Sequence, residues 1–161
     1  MESTFKFKFR KASWGIFVDL TAEFVPCDLT LLDSHDKDIL PVTENLWLHL
    51  KLGNLRLPEE EKPMLVLGAQ IILNVSVNPI PTTPGIIKIS ELSYPLTEYQ
   101  PEGFAYAIAG WIAQEWNVPM PEIYIRYEKA KNTYFFKFPG LPEMGSYLQN
   151  GLDWTRWNDP D

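Results

Sequence analysis

His35 and His49 are the only histidines in a chain of 161 residues, and with Asp33, Asp36 and Asp38 they come nearest to a set of metal ligands. Their spacing fits no tetrahedral zinc site, and loop carboxylates at this density are ordinarily solvated, so no metal is expected. Cys27 is the sole thiol. One cysteine excludes an intramolecular disulfide, a zinc cluster of several thiolates and a Cys-x-x-Cys redox pair. It follows Pro26 with no histidine beside it, so a cysteine nucleophile would lack its base. No serine stands in a nucleophile elbow, and no glycine-rich loop resembles a phosphate cradle. Carboxylate pairs of the glycosidase kind assemble from distant strands and leave no trace in spacing. Glu102, Glu115 and Glu122 are the carboxylates nearest to aromatic residues, and each also reads as a helix start or a strand rim. The residues therefore predict a non-catalytic protein without a cofactor.

Charge narrows the partners. The net charge is −7 and the isoelectric point is near 4.8, a field that repels phosphate backbones and attracts basic surfaces. A basic protein is the expected partner, and nucleic acid is disfavoured. The acidic run Glu59, Glu60 and Glu61 is one candidate contact. Asp153, Trp154 and Trp157 form another: tryptophan is a common interface anchor, although these two can equally clamp the tail onto the core. Lys6, Lys8, Arg10 and Lys11 make the one basic cluster near the start. The stretch Met1 to Arg10 alternates Phe with Lys and offers neither the apolar run of a signal peptide nor a membrane span. With a single cysteine, this predicts a soluble cytoplasmic protein.

The elements that must position these residues follow from periodicity. At this length the chain reads as one domain over 1–161, with 141–161 an irregular tail packed on it. An apolar share of 45% is that of a packed core rather than of a disordered segment. Phe5, Phe7 and Phe9 alternate with basic residues, the period of a half-buried strand. From Trp14 to Val25 the residues Trp14, Ile16, Val18, Leu20, Ala22 and Phe24 share one face of a second, longer strand, which Pro26 ends. Asp28 to Pro41 shows no period and reads as a loop or an irregular edge. Leu46, Leu48, Leu50 and Leu52 predict a third strand, with a short helix capped at Thr43 as the competing reading.

Pro58 followed by three glutamates marks a helix start, and the helix runs to about Ser76 with Pro63 as an interruption. Ile86, Ile87 and Ile89 begin another strand after a proline-rich connection. Gln100-Pro101-Glu102 opens the best helix, to about Trp116. Its apolar stripe is Phe104, Ile108, Trp111 and Ile112, and Ala105, Ala109 and Ala113 form a small-residue face for close packing on a sheet. Two alternating runs, Ile123 to Glu128 and Tyr134 to Phe138, predict a hairpin. The sum is an α+β fold: a mixed or antiparallel sheet of about six strands, two main helices on one face, and a right-handed crossover between Leu52 and Ile86.

Within this pattern lie Pro63 with Gly68, Gly85-Ile86-Ile87-Lys88-Ile89, Ser93-Tyr94, and Glu102-Gly103-Phe104-Ala105-Tyr106-Ala107-Ile108-Ala109. In this order they resemble domain IV of translation elongation factor G over about residues 63–113. There, a proline-led helix with a glycine five residues on is followed by a strand, a tyrosine turn and an alanine-rich helix. The resemblance implies the fold of that domain. Pro95 stands where the family usually has histidine after the tyrosine, and the expected glycine-rich basic loop is reduced to Ser13-Trp14-Gly15, so no functional residue carries over.

Two functions fit. One is an acidic protein-binding module, most concretely an immunity or inhibitor protein that neutralises a basic toxin. The other is a ribosome- or RNA-associated accessory protein that meets phosphates through Lys6, Lys8, Arg10, Lys11, Lys129 and Lys131.

Overall fold

The structure is a computed structural model that describes residues 1–33, 35–51, 53 and 57–145. Strand β1 (Ser3–Arg10) pairs antiparallel with β2 (Gly15–Pro26), and β2 pairs antiparallel with β5 (Gly85–Ser93). Strand β4 (Leu46–Leu50) runs parallel to β5, and β3 (Ile39–Pro41) pairs antiparallel with β4. The five-stranded sheet has the order β1-β2-β5-β4-β3, so β1 and β3 are its two edges. A separate hairpin holds β6 (Tyr124–Glu128) and β7 (Thr133–Lys137). Helix α1 (Lys62–Val75) makes the crossover from β4 to β5, and α2 (Glu102–Glu115) follows β5. The α+β class, the two helices and the mixed sheet agree with the periodicity.

Residues opposite one another in register share a face, and one face of the sheet is apolar except at Ser3, opposite Ala22. Phe7 lies opposite Val18, Leu20 lies between Phe5 and Leu92, and Ile87 lies between Phe24 and Leu48. On β5 the apolar positions Ile87, Ile89 and Leu92 break the period of two. The irregularity between Thr21 and Ala22 repairs it: Thr21 lies opposite Glu91 and Ala22 opposite Ile89, which leaves Ser90 as an extra residue. Such a bulge returns both Ile89 and Leu92 to the covered face, where both are fully buried.

Helix α2 lies on this face. Its glycines meet the sheet: a Cβ on Gly103 would come within 2.8 Å of the Ile16 Cγ2, and one on Gly110 within 2.2 Å of the Phe5 ring. Ala105, of the small-residue row expected on a sheet, meets α1 instead. A Cβ on Gly68 would lie 2.1 Å from the carbonyl oxygen of Ala105, so the two helix backbones touch where α1 has no side chain. Both faces of α2 are thus buried, and Phe104, Ile108, Trp111 and Ile112 are closed to solvent.

Several boundaries differ from the expectation. Helix α1 begins at Lys62, and Pro63 belongs to its first turn rather than interrupting it. Proline fits there because the first-turn amides have no partner within the helix. The segment from Pro58 to Glu61 is a turn closed by the Glu61 N–H donating to the Pro58 carbonyl (2.9 Å). Residues 46–50 form a strand and not a helix, and Thr43 accepts from the Asn45 N–H in the turn before it. The region read as a loop or an irregular edge contains a 3-10 turn, Leu29–Leu31, and the short edge strand β3. The hairpin forms its own sheet, anchored by the Tyr134 hydroxyl, which donates to the Trp14 carbonyl (2.5 Å) and accepts from the Lys11 N–H (2.9 Å).

Candidate functional site

The N-termini of α1 and α2 and the segments leaving β4 and β5 meet at one end of the sheet. There the chain gathers most of its perturbed groups. On the outside, the Lys62 side chain is buried and its ammonium donates to Glu59 Oε1 (2.6 Å), Asp38 Oδ1 (3.3 Å) and the Lys37 carbonyl (3.4 Å). Burial pulls this ammonium down, but its hydrogen bonds to Glu59 and Asp38 outweigh it and raise its pKa above the ordinary lysine value. The same contact holds the Glu59 carboxyl below its usual range. Lys62 therefore ties the loop before β3 to the turn before α1, two acidic stretches distant in sequence.

The result is an acidic edge. Asp33, Asp36, Asp38, Glu59 and Glu60 are all exposed there, against the exposed ammoniums of Lys37 and Lys51. Asp33 and Asp36 accept from the His35 and Asp38 backbone amides (both 2.9 Å), which fixes the loop by local turns. His49, on β4 beside this loop, has its pKa lowered by burial and then by Lys51, against the pull of Asp36 and Asp38. Among the described residues no three His, Cys, Asp or Glu side chains converge as metal ligands.

Glu61, expected as a surface contact with Glu59 and Glu60, turns inward and is 1% exposed. As the last residue before α1 it follows a turn that directs successive side chains to different sides. Its Oε1 accepts from the Tyr99 hydroxyl (3.2 Å), and its Oε2 receives no hydrogen bond from the protein. Burial, against the Tyr99 hydrogen bond, raises its pKa. Glu102, in the first turn of α2, is fully buried. Its Oε2 accepts from Gln100 Nε2 (3.3 Å), and its Oε1 is likewise without a partner. Burial pushes this carboxyl up to about 7, against hydrogen bonds from its own amide and Gln100, and the charge of Glu61 adds to the rise.

Aromatic rings pack beside Glu61. Tyr94, Tyr99 and Phe104 pack together with centroids 4.7 to 5.8 Å apart. Burial, with the Glu61 charge, pushes the Tyr99 hydroxyl up to about 12. Gln100 holds the hairpin to this end: its Oε1 accepts from the Tyr134 N–H (2.8 Å) and its Nε2 donates to the Tyr134 carbonyl (2.9 Å). A carboxylic acid that titrates near neutrality suits general acid or base work. Here, however, both carboxylates are sealed from solvent, and no substrate can reach them without movement.

The basic residues lie at the other edge. Lys6, Lys8 and Arg10 project from β1 onto the uncovered face of the sheet, where a cleft of about 490 Å³ is lined by Lys6, Lys8, Phe17, Asp19, Ser93 and Glu98. The Lys8 ammonium stands 5.5 Å from the centre of the Phe17 ring. Trp14 Nε1 donates to Asn132 Oδ1 (2.8 Å), which brings the turn bearing Lys129 and Lys131 beside the turn after β1. Asp153, Trp154 and Trp157 lie outside the described residues. Glu115 and Glu122 stand apart from the buried pair: Glu115 accepts from Ser3 (3.4 Å), and Glu122 accepts from Tyr124 (2.8 Å). No helix among the described residues is long and apolar enough to cross a membrane. The chain matches no protein-family model and has no significant similarity to a curated protein.

Proposed function

We propose that this chain is a non-catalytic protein-binding module that docks a basic partner on its acidic edge, in the manner of an immunity or inhibitor protein that neutralises a toxin. The observation that carries the reading is the Lys62 tie. A buried lysine that joins Asp38 and Glu59 presents Asp33, Asp36, Asp38, Glu59 and Glu60 as one surface rather than two. Pooled like charge at an edge accelerates encounter with a basic surface and disfavours acidic competitors. The net charge of −7 adds to this field at long range. Reversing the charge at Glu59, Glu60 and Asp36 together should slow association with the partner at least tenfold at low salt and leave dissociation within a few-fold. Stopped-flow or surface-binding kinetics over a salt series reads both rates. Loss of affinity through the dissociation rate alone would count against docking at this edge.

A second reading, a ribosome- or RNA-associated protein, is favoured by one observation: the hairpin turn with Lys129 and Lys131 stands beside the turn with Lys11 that follows the strand carrying Lys6, Lys8 and Arg10. The resemblance to domain IV of elongation factor G points the same way. The field of the whole chain opposes it, since polyanion binding draws on several cation contacts that release counterions. Labelled ribosomal RNA at low ionic strength discriminates the two. Micromolar binding that weakens on replacing Lys6 and Lys8 would favour the second reading.

A further inference from the structure

We propose that the cleft on the uncovered face of the sheet binds a free α-amino acid with an apolar side chain: its carboxylate meets Lys6 and Lys8 of β1, and its ammonium meets Asp19 of β2 and Glu98 of the loop after β5. The register builds the two walls. Lys6 lies opposite Asp19 and Asp19 opposite Ser93, while Lys8 lies opposite Phe17, so one row is polar across three strands and the next has an aromatic floor. The loop is tied to β2: the Phe17 N–H donates to the Glu98 carbonyl (3.3 Å), and the Glu98 N–H donates to the Pro95 carbonyl (3.1 Å). The cleft of about 490 Å³ is within the range of small-molecule sites.

The polar groups of the cleft are not used by the protein itself. Among the described residues the side chains of Lys6, Asp19, Ser93 and Glu98 make no hydrogen bond within the chain, and Lys6, Lys8, Asp19 and Glu98 form no ion pair within 4.0 Å. One row away the same face pairs its own: the Thr4 and Thr21 Oγ1 atoms are 2.7 Å apart, and Thr21 donates to Glu91 Oε2 (3.4 Å). Phe17, Asp19 and Glu98 are half-buried, so the floor and both acceptors belong to the cleft rather than to open surface.

Charge balance selects the ligand. Two ammoniums and two carboxylates line the cleft, so a simple anion loses to one wall what it gains from the other, and a simple cation does the same. A molecule that carries both charges on one carbon satisfies both walls. Its apolar side chain covers the Phe17 ring beside Pro95, where removal from water adds attraction regardless of charge. Charges this open to water contribute little each, so the affinity is on the order of 1 mM. The cleft is separate from the acidic edge, since β1 and β3 are opposite edges of the sheet.

Amide NMR titration of the full chain at low salt tests the site with three ligands: L-phenylalanine, 3-phenylpropanoate, which lacks the ammonium, and 2-phenylethylamine, which lacks the carboxylate. Saturable shifts at Lys6, Lys8, Phe17, Asp19 and Ser93 with a Kd of about 1 mM are expected for the amino acid, and binding at least about fivefold weaker for each analogue. Asp19→Asn takes one carboxylate from the wall, so it should weaken L-phenylalanine by roughly threefold to tenfold and tighten 3-phenylpropanoate. No saturable shift at these amides below about 20 mM, or an analogue that binds as tightly as the amino acid, would overturn the proposal. A folded Asp19→Asn variant that keeps the wild-type preference would overturn it too. The comparison of the three ligands on wild type decides the matter even if the variant does not fold.

Discussion

Replacing Glu102 by Gln removes the side chain whose charged form fits its surroundings worst, and the direction of the effect depends on pH. A carboxyl raised from its ordinary 4.5 to about 7 binds its proton more tightly in the folded chain than in the unfolded one. The stability it contributes is complete below about pH 4.5 and is lost as pH rises through 7. Wild type should therefore lose roughly 3 kcal/mol across that window that the Gln variant keeps. Urea unfolding of both proteins at pH 5 and pH 8.5 checks it, and equal losses in the two would contradict the assignment. The sequence marked Glu102 only as a helix start near aromatics, and it marked Glu61 as a third surface glutamate after Glu59 and Glu60. Nothing in a run of three acids says which one turns inward. That depends on Tyr99, thirty-eight positions away, closing over it.

Elements were far more legible. Strict alternation in β1 and β2, set by burial of one strand face, and the apolar stripe of α2 located the core. Replacing Ile108 by Ala should cost about 2 to 5 kcal/mol, since it opens a cavity under a fully buried side chain; an unchanged melting midpoint would count against the packing described. What periodicity could not supply was the face each small-residue row meets. Gly68 is the tight point between α1 and α2, and a methyl there would press on the Ala105 backbone, which cannot rotate away. Gly68→Ala should destabilise by roughly 1 to 3 kcal/mol despite the better helix propensity of alanine. Thermal unfolding would detect it, and a stabilised variant would show that the helices stand farther apart. The three-residue β3 went unread because a strand so short carries no period, and the shift from Ile89 to Leu92 needed the partner strand to reveal a bulge.

At the scale of the molecule, the strand order sets the charges apart. β1 and β3 are opposite edges, so the lysines and arginine of β1 stand at one side and the carboxylates around β3 and the start of α1 at the other. The net charge and the candidate acids Glu59 and Glu60 were visible in the sequence, but the pooling was not, because it needs Lys62 to join residues from two separate loops. Lys62→Met should uncouple the loop from the turn, seen as faster amide exchange at Asp38 and Glu61 while the α2 core keeps its protection. Equal protection in both proteins would show that the edge holds together without the lysine. The most direct test of the binding account is cross-linking capture from the native host with wild type and with the Asp36→Lys, Glu59→Lys, Glu60→Lys triple variant side by side. The account predicts basic proteins captured by wild type and lost by the variant, with both proteins equally folded. The same partners retained by the variant would contradict it.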